Sequence, residues 1–334
     1  MIIRKRGILF SLLVFALFSC NLHEDRLKVD VSGIEIPTVK IHRYDKALFN
    51  IPLSDLKPGL KAIQSEFPFF LGTDLEDPSK LADMEAYLTN PRNIDFNKAV
   101  QQKFPDLTSF EKDLTEAFRH ARYYFPGISV PRFYSYISGG DYDYPVRLAD
   151  SVMIIALDCY LGTDFKPYFS DGLALYKTQR MTPEQIVPDC MRSIISFIVP
   201  QGMQSVTFLD QIVEAGKRLY LLDAFLPGTA DNIKIRYTNE QHVWITENEA
   251  HVWSAIVENQ MLYSSDGQNL RAFLADGPFT AAFGKDSPPR LGEWIGWKIV
   301  RAYMDNNPEI SLKQMIMESD AQAILTKSGY KPKK

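Results

Sequence analysis

The sequence predicts an α+β fold that is predominantly helical, with a small sheet packed against a multi-helix domain. Three observations predict it. Alternating or wholly apolar runs of strand length cluster in residues 39–44 and 132–157, and helical apolar spacing governs nearly everything after Leu161. No period of 20–50 residues repeats, which excludes a solenoid. At 46% hydrophobic and 23% charged over 334 residues, the chain is neither disordered nor a polytopic membrane protein.

Val39–Tyr44 starts just after Pro37 and reads as the first strand. Helical patterns follow over Asp55–Phe67, Asp77–Thr89 and Asn93–Phe104, punctuated by Pro68, Pro78, Pro91 and Pro105. Thr108-Ser109-Phe110-Glu111 has the form of a capping box and opens a helix through Arg119 that Phe125-Pro126-Gly127 ends. Arg132–Ser138 alternates, Gly139-Gly140-Asp141 turns, Tyr144–Leu148 offers a return strand, and Val152–Leu157 reads as a buried strand. Helices are expected at 172–180, 183–199, 207–225, 239–261, 291–305 and 320–327.

The N-terminus carries Arg4, Lys5 and Arg6 ahead of an apolar run from Gly7 to Ser19. Thirteen helical residues reach roughly 20 Å, short of a bilayer core of about 30 Å, so the segment reads as a secretory signal rather than a membrane anchor. Its end, Leu17-Phe18-Ser19-Cys20, resembles a bacterial lipobox, with Phe18 bulkier than the usual residue there. That resemblance implies a diacylglycerol on the Cys20 sulfur and an acyl chain on its amino group, and two or more chains anchor stably. The expected organisation is a signal peptide over 1–19, a lipidated tether over 20–35 and one globular domain over 36–334. Asn21, rather than Asp, after the lipidated cysteine points to the outer membrane.

Without the three signal residues the chain has 34 basic and 41 acidic residues, a net charge of −7. Nucleic-acid binding rests on clustered Lys and Arg, so that class of partner is set aside. Cys159 and Cys190 lie in apolar runs; an exported protein permits a bridge between them, and buried free thiols are the other reading.

No H-E-x-x-H, G-x-S-x-G, P-loop or G-x-G-x-x-G occurs, and no two of the five histidines lie three or four apart. The segment from Thr182 is the most informative. Thr182, Pro183 and Gln185 read as cap, first helical residue and closing partner of a capping box. Val187, Cys190, Met191, Ile194, Ile195 and Ile198 form an apolar stripe, and Gln185, Asp189, Arg192 and Ser196 a polar one in which Asp189 and Arg192 pair. Pro188 is expected inside the helix, kinking it. Farther on, Gly216 permits close helix approach, and Gly292, Trp294, Gly296 and Trp297 suit tight core packing.

VKIHRYDKALF, FPFF, KFPDL, ARYYFP, VMIIALDCYLG, MTPEQIVPDCMRSII and SPPRLGEWIGWKIVRAYM together resemble the gliding-motility lipoprotein GldB family, in order and spacing along the mature chain. The resemblance implies a cell-envelope lipoprotein of the motility apparatus, held to the membrane through Cys20, binding other envelope proteins, with no catalytic activity and no cofactor. The order of elements is also similar to zincin-type metallopeptidases. On that pattern Pro188 and Asp189 take the His-Glu place, Arg192 the second His and Glu214 the third ligand. Proline has no donor atom and arginine repels zinc, so the likeness implies a degenerate scaffold whose candidate binding residues are Gln185, Pro188, Asp189, Arg192 and Glu214. Two alternatives are a metal-dependent peptidase using Asp158, Asp189, His242 and Glu214, and a glycan-binding lipoprotein using Tyr123, Tyr124, Trp244, Trp253 and Trp294.

Overall fold

In the computed structural model, which describes residues 26–199 and 206–332, four strands form one sheet. They are β1 (Ile41–Arg43), β2 (Arg132–Tyr136), β3 (Val146–Ala149) and β4 (Val152–Ala156), in the spatial order β1-β2-β4-β3. β1, β2 and β4 run parallel, and β3 is antiparallel to β4. The β3–β4 hairpin turns at Asp150 and Ser151, where Asp150 takes φ 51°. Helices α1 (Tyr44–Phe49), α2 (Leu56–Ile63), α3 (Pro68–Leu71), α4 (Pro78–Thr89), α5 (Pro91–Lys103) and α6 (Thr108–Tyr124) connect β1 to β2. After the sheet come α7 (Lys166–Ser170), α8 (Leu175–Thr178), α9 (Ile186–Ile198), α10 (Phe208–Phe225) and α11 (Asp231–Ile235). The chain then continues through α12 (Asn239–Glu258), α13 (Gly267–Leu274), α14 (Leu291–Asn306), α15 (Leu312–Met317) and α16 (Ala321–Ser328).

Side chains alternate across a strand, so each face of this sheet needs its own cover. Ile41, Phe133, Met153 and Ile155 join the main helical core, where Phe118 of α6 meets Phe133 edge-on at 5.9 Å. Tyr134 and Ile154 face the other way, into a smaller cluster built by α1 to α4. The sheet is therefore covered on both faces. At its β1 end the fully buried Asp45 carboxylate accepts from Arg43 at 2.7 Å, Ser135 at 2.5 Å and Gln101 at 2.9 Å, tying β1, β2 and α5 together.

The main core is organised by the crossing of α10 and α14. A Cβ on Gly296 would lie 1.7 Å from the Ile212 carbonyl oxygen, and one on Gly216 would lie 2.2 Å from that of Gly296. Backbone meets backbone there, and only glycine leaves the room. Beside the crossing, Asp223 of α10 is 4% exposed and accepts from Trp297, Arg301 and Lys234, at 2.8, 2.7 and 2.9 Å. The Arg301 guanidinium also stacks 3.8 Å from the centroid of the Trp297 ring and reaches Asp231 at 2.6 Å. These bonds fasten α11 to the α10–α14 pair.

Several expectations are corrected. The segment 26–35 is docked rather than a free tether: Arg26 donates to the Met304 and Ile310 carbonyls at 2.6 and 2.7 Å, and Leu27 and Val31 are buried. Thr108 does not cap α6. Asp106 accepts its N–H, and Glu111 instead receives the Ile41 N–H and the Lys40 ammonium, both at 2.9 Å, so tertiary pairing wins over the local motif. α6 also runs on to Tyr124. Of the helix expected over 172–180 only the short α8 forms, α7 having ended at Ser170, while Asp55–Phe67 holds α2 between a 3₁₀ turn at Leu53–Asp55 and α3. Thr182 makes no cap bond; Pro183–Gln185 is a 3₁₀ turn and α9 starts at Ile186. Pro188 thus sits in the first turn, where the N–H it lacks has no intrahelical partner, and the cause of the expected kink disappears.

Elsewhere local chemistry prevails. Asp77 and Asn90 cap α4 and α5, and Thr207 and Thr238 close capping boxes on α10 and α12. Cys159 and Cys190 are buried and free. No helix among the described residues is long and apolar enough to cross a membrane. The signal segment and Cys20 lie outside the described residues.

The α10–α14 crossing yields a direct test. Gly296→Ala should lower the unfolding free energy by about 3 kcal/mol, the upper part of the overpacking range. Gly33→Ala, whose Cβ meets nothing within 4 Å, should stay within about 0.5 kcal/mol of the parent. Urea unfolding midpoints of the two variants make the comparison.

Candidate functional site

Asp189 and Arg192 lie on successive turns of α9, as the sequence spacing requires, but the polar stripe they belong to does not face solvent. Asp189 is 6% exposed. Its Oδ1 accepts from Arg236 Nη2 at 2.5 Å and Nε at 3.1 Å, and its Oδ2 accepts from the buried Tyr160 hydroxyl at 3.0 Å. The expected partner Arg192 is present at 3.6 Å, beyond hydrogen-bond length. Arg192 instead donates to the Lys234 carbonyl, and Gln185 donates to the Ile233 carbonyl at 3.2 Å. Three of the five candidates therefore converge on one short stretch, residues 233–236, that ends α11.

Arg236 closes α11 in the left-handed conformation at φ 58°, and Arg290, just before α14, does the same at φ 56°. Non-glycine residues seldom adopt this conformation, and it persists where the surroundings over-determine it. Here they do. Arg290 donates to the Ile235 carbonyl at 2.9 Å and to Glu293 at 3.0 Å, and its guanidinium lies 5.5 Å from the centroid of the Tyr237 ring. Arg180 pairs with Asp276 at 2.9 Å. Four guanidinium groups, of Arg180, Arg192, Arg236 and Arg290, thus share one region with Asp189, Asp276 and Glu293. Its open part is a cavity of about 220 Å³ lined by Tyr142, Cys159, Arg180, Asp189 and Arg236, among others.

Electrostatics follow from this crowding. Burial and then the Arg236 charge pull Arg192 down to about 9. Burial also opposes the charge on Arg236, but the carboxylate of Asp189 against it more than offsets that and raises it. Burial, with Asp189 adding, pushes the Tyr160 hydroxyl well above its ordinary range. Both oxygens of Asp189 are engaged, so this carboxylate is a structural anchor of the Arg236 turn rather than a free base or metal donor.

The other candidates lie elsewhere. Pro188 lines a separate cavity of about 590 Å³ that it shares with Pro183, Glu184, His120 and Phe225. Glu214 pairs with Arg218 on its own helix at 2.6 Å. Among the described residues no group of three or more His, Cys, Asp or Glu could hold a metal ion. Each donor of the peptidase alternative has other work. Asp158 is completely buried and accepts from Ser138 and Gly140, and burial raises its pKa; His242 lies edge-on to Trp294 at 5.5 Å. The five glycan-platform aromatics do not form one exposed surface either. Trp294 is 3% exposed, Tyr124, Trp244 and Trp253 are half-buried, and Tyr123 alone of the five is exposed.

Sequence reasoning missed Arg180, Arg236, Arg290 and Tyr160. Their role depends on two left-handed backbone positions and on the return of residues 233–236 to α9, and neither has a local signal in the sequence.

A family model described as Gliding motility protein GldB matches residues 24–332. No curated protein and no solved structure matches the chain.

Asp189→Asn should cost about 2 kcal/mol, since Arg236 loses its charged acceptor while part of its guanidinium keeps water. Combined with Arg236→Gln, the two losses should fall short of additive by about 1 kcal/mol in a double-mutant cycle read by urea unfolding. A second test concerns His120, which is 7% exposed. Burial holds its imidazole below the ordinary range, with Glu116 opposing. The unfolded chain then takes up this proton at higher pH than the native one. Stability is full above the ordinary imidazole range and falls as pH drops through it toward the folded value. The curve of unfolding midpoint against pH should lose this component in His120→Leu.

Proposed function

This chain belongs to the gliding motility protein GldB family, and from that premise we propose that it is an exported, lipid-anchored envelope component that supports gliding by binding other proteins of the motility apparatus. The match over residues 24–332 carries the reading. The N-terminal signal and the lipobox resemblance ending at Cys20 support the anchor, and Asn21 supports the outer membrane as its destination.

The degenerate set supports binding over catalysis. Gln185, Asp189 and Arg192 hold the Arg236 turn in place, with bonds that leave neither Asp189 oxygen free to activate water. The open part of this charge-rich region suits recognition, where guanidinium and carboxylate groups fix the orientation of a partner more than they add affinity. Pro188 and Glu214 act in this reading as parts of the scaffold.

The anchor is tested with Cys20→Ser. The variant should leave the membrane fraction, lose metabolic labelling with an alkyne-bearing palmitate analogue, and fail to restore gliding to a deletion strain. Retained membrane association together with full restoration would overturn the anchor.

A further inference from the structure

A cavity of about 510 Å³ opens between the sheet and the layer of α1 to α4. It lies at the carboxyl ends of parallel strands: Tyr44 directly follows β1, and Ile137 and Ser138 follow β2. At that end the chain leaves the sheet in diverging directions, which is why ligands of α/β sheets collect there. The volume lies within the range of about 300–1,000 Å³ usual for small-molecule sites. The walls are apolar, supplied by Leu48, Leu60, Leu71 and Met84 from four successive helices.

Polar groups in this cavity are few, and two of the hydroxyls are uncommitted. Tyr44 is 6% exposed, yet its hydroxyl has no hydrogen-bond partner among the described residues, and the same holds for the half-buried Tyr136. A third tyrosine of the lining, Tyr87, does have one, the Ile137 carbonyl at 2.6 Å. Neither hydroxyl is spent on a protein acceptor, so each is left to donate to water or to a ligand in the cavity. The rim carries Lys80 and Asp83, both exposed, three residues apart on α4, with no ion pair joining them. Lys80 reaches only the Asp74 carbonyl, at 3.4 Å.

We propose that this cavity binds one single-chain zwitterionic lipid, a lysophospholipid. The acyl chain matches the apolar walls, and the ester carbonyl supplies the acceptor that the tyrosine hydroxyls lack. The phosphate matches Lys80 and the ammonium of the head group matches Asp83. A free fatty acid would leave Asp83 facing a second anion. A diacyl lipid has one chain more than the walls enclose.

The test uses the full chain in its own membranes and a lysophosphatidylethanolamine carrying a diazirine within the acyl chain. After irradiation, adducts should map to peptides that contain Tyr44–Leu48, Leu71, Met84 and Tyr136–Ser138. Met84→Trp, which fills the space, should lower labelling at least tenfold, and Tyr44→Phe should lower it threefold to tenfold. Lys80→Glu changes only an exposed side chain, so it tests the head group even if a lining variant fails to fold; it should weaken labelling several-fold. Unlabelled lysophosphatidylethanolamine should compete at least tenfold better than palmitate. Adducts spread over the surface, or labelling indifferent to Met84→Trp in a folded protein, would overturn the site. Equal competition by palmitate would overturn the head-group assignment.

Discussion

The contact on which the rest of the structure depends is the one with no side chains in it. Where α10 and α14 cross, Gly216 and Gly296 bring backbone against backbone, close enough that a methyl group on either would overlap a carbonyl oxygen. The two helices then act as a single spine. Around them lie the buried residues of α9, α13 and α16, together with Trp297, which is wholly buried and gives its indole N–H to Asp223. Widening the crossing by the width of a methyl group would shift Trp297 and Arg301 together, and with them the carboxylate they share.

One short segment is held to this spine from two sides. Lys234 reaches Asp223 of α10, and Arg236, two residues later, reaches Asp189 of α9. Two buried carboxylates on different helices thus fix a stretch that would otherwise be an ordinary surface turn. Burying such charges adds little net stability once desolvation is counted, but removing one partner strands the other. The arrangement therefore specifies a geometry more than it strengthens the fold.

Much of this was legible in the sequence, and the part that was not has a common cause. Wherever a local rule acted without competition, it held: Asp77 and Asn90 cap, Thr207 and Thr238 close their boxes, and Gly216 permits the close approach. Where a distant group competed, the local rule lost. Glu111 left its expected place for the Ile41 N–H, and Gln185 left its own for the Ile233 carbonyl. The spacing of Asp189 and Arg192 correctly put both on one face of a helix. It could not say that residues 233–236 would cover that face, because periodicity carries no information about what packs on a stripe. Short helices such as α1, α11 and α15 escaped for a related reason, being too brief to show a period.

The clasp formed by Arg26 has a mechanical consequence. If Cys20 carries the lipid, five residues separate it from Arg26, and a fully extended chain spans at most about 3.6 Å per residue. Six Cα-to-Cα steps then hold the body within about 22 Å of its anchor, on a leash too short for it to tumble freely. Any pull from the membrane would arrive at the Met304 and Ile310 carbonyls, where Arg26 grips the last turn of α14 and the loop beyond it. Tension would pass from there into the glycine-locked helix pair before it reached the sheet.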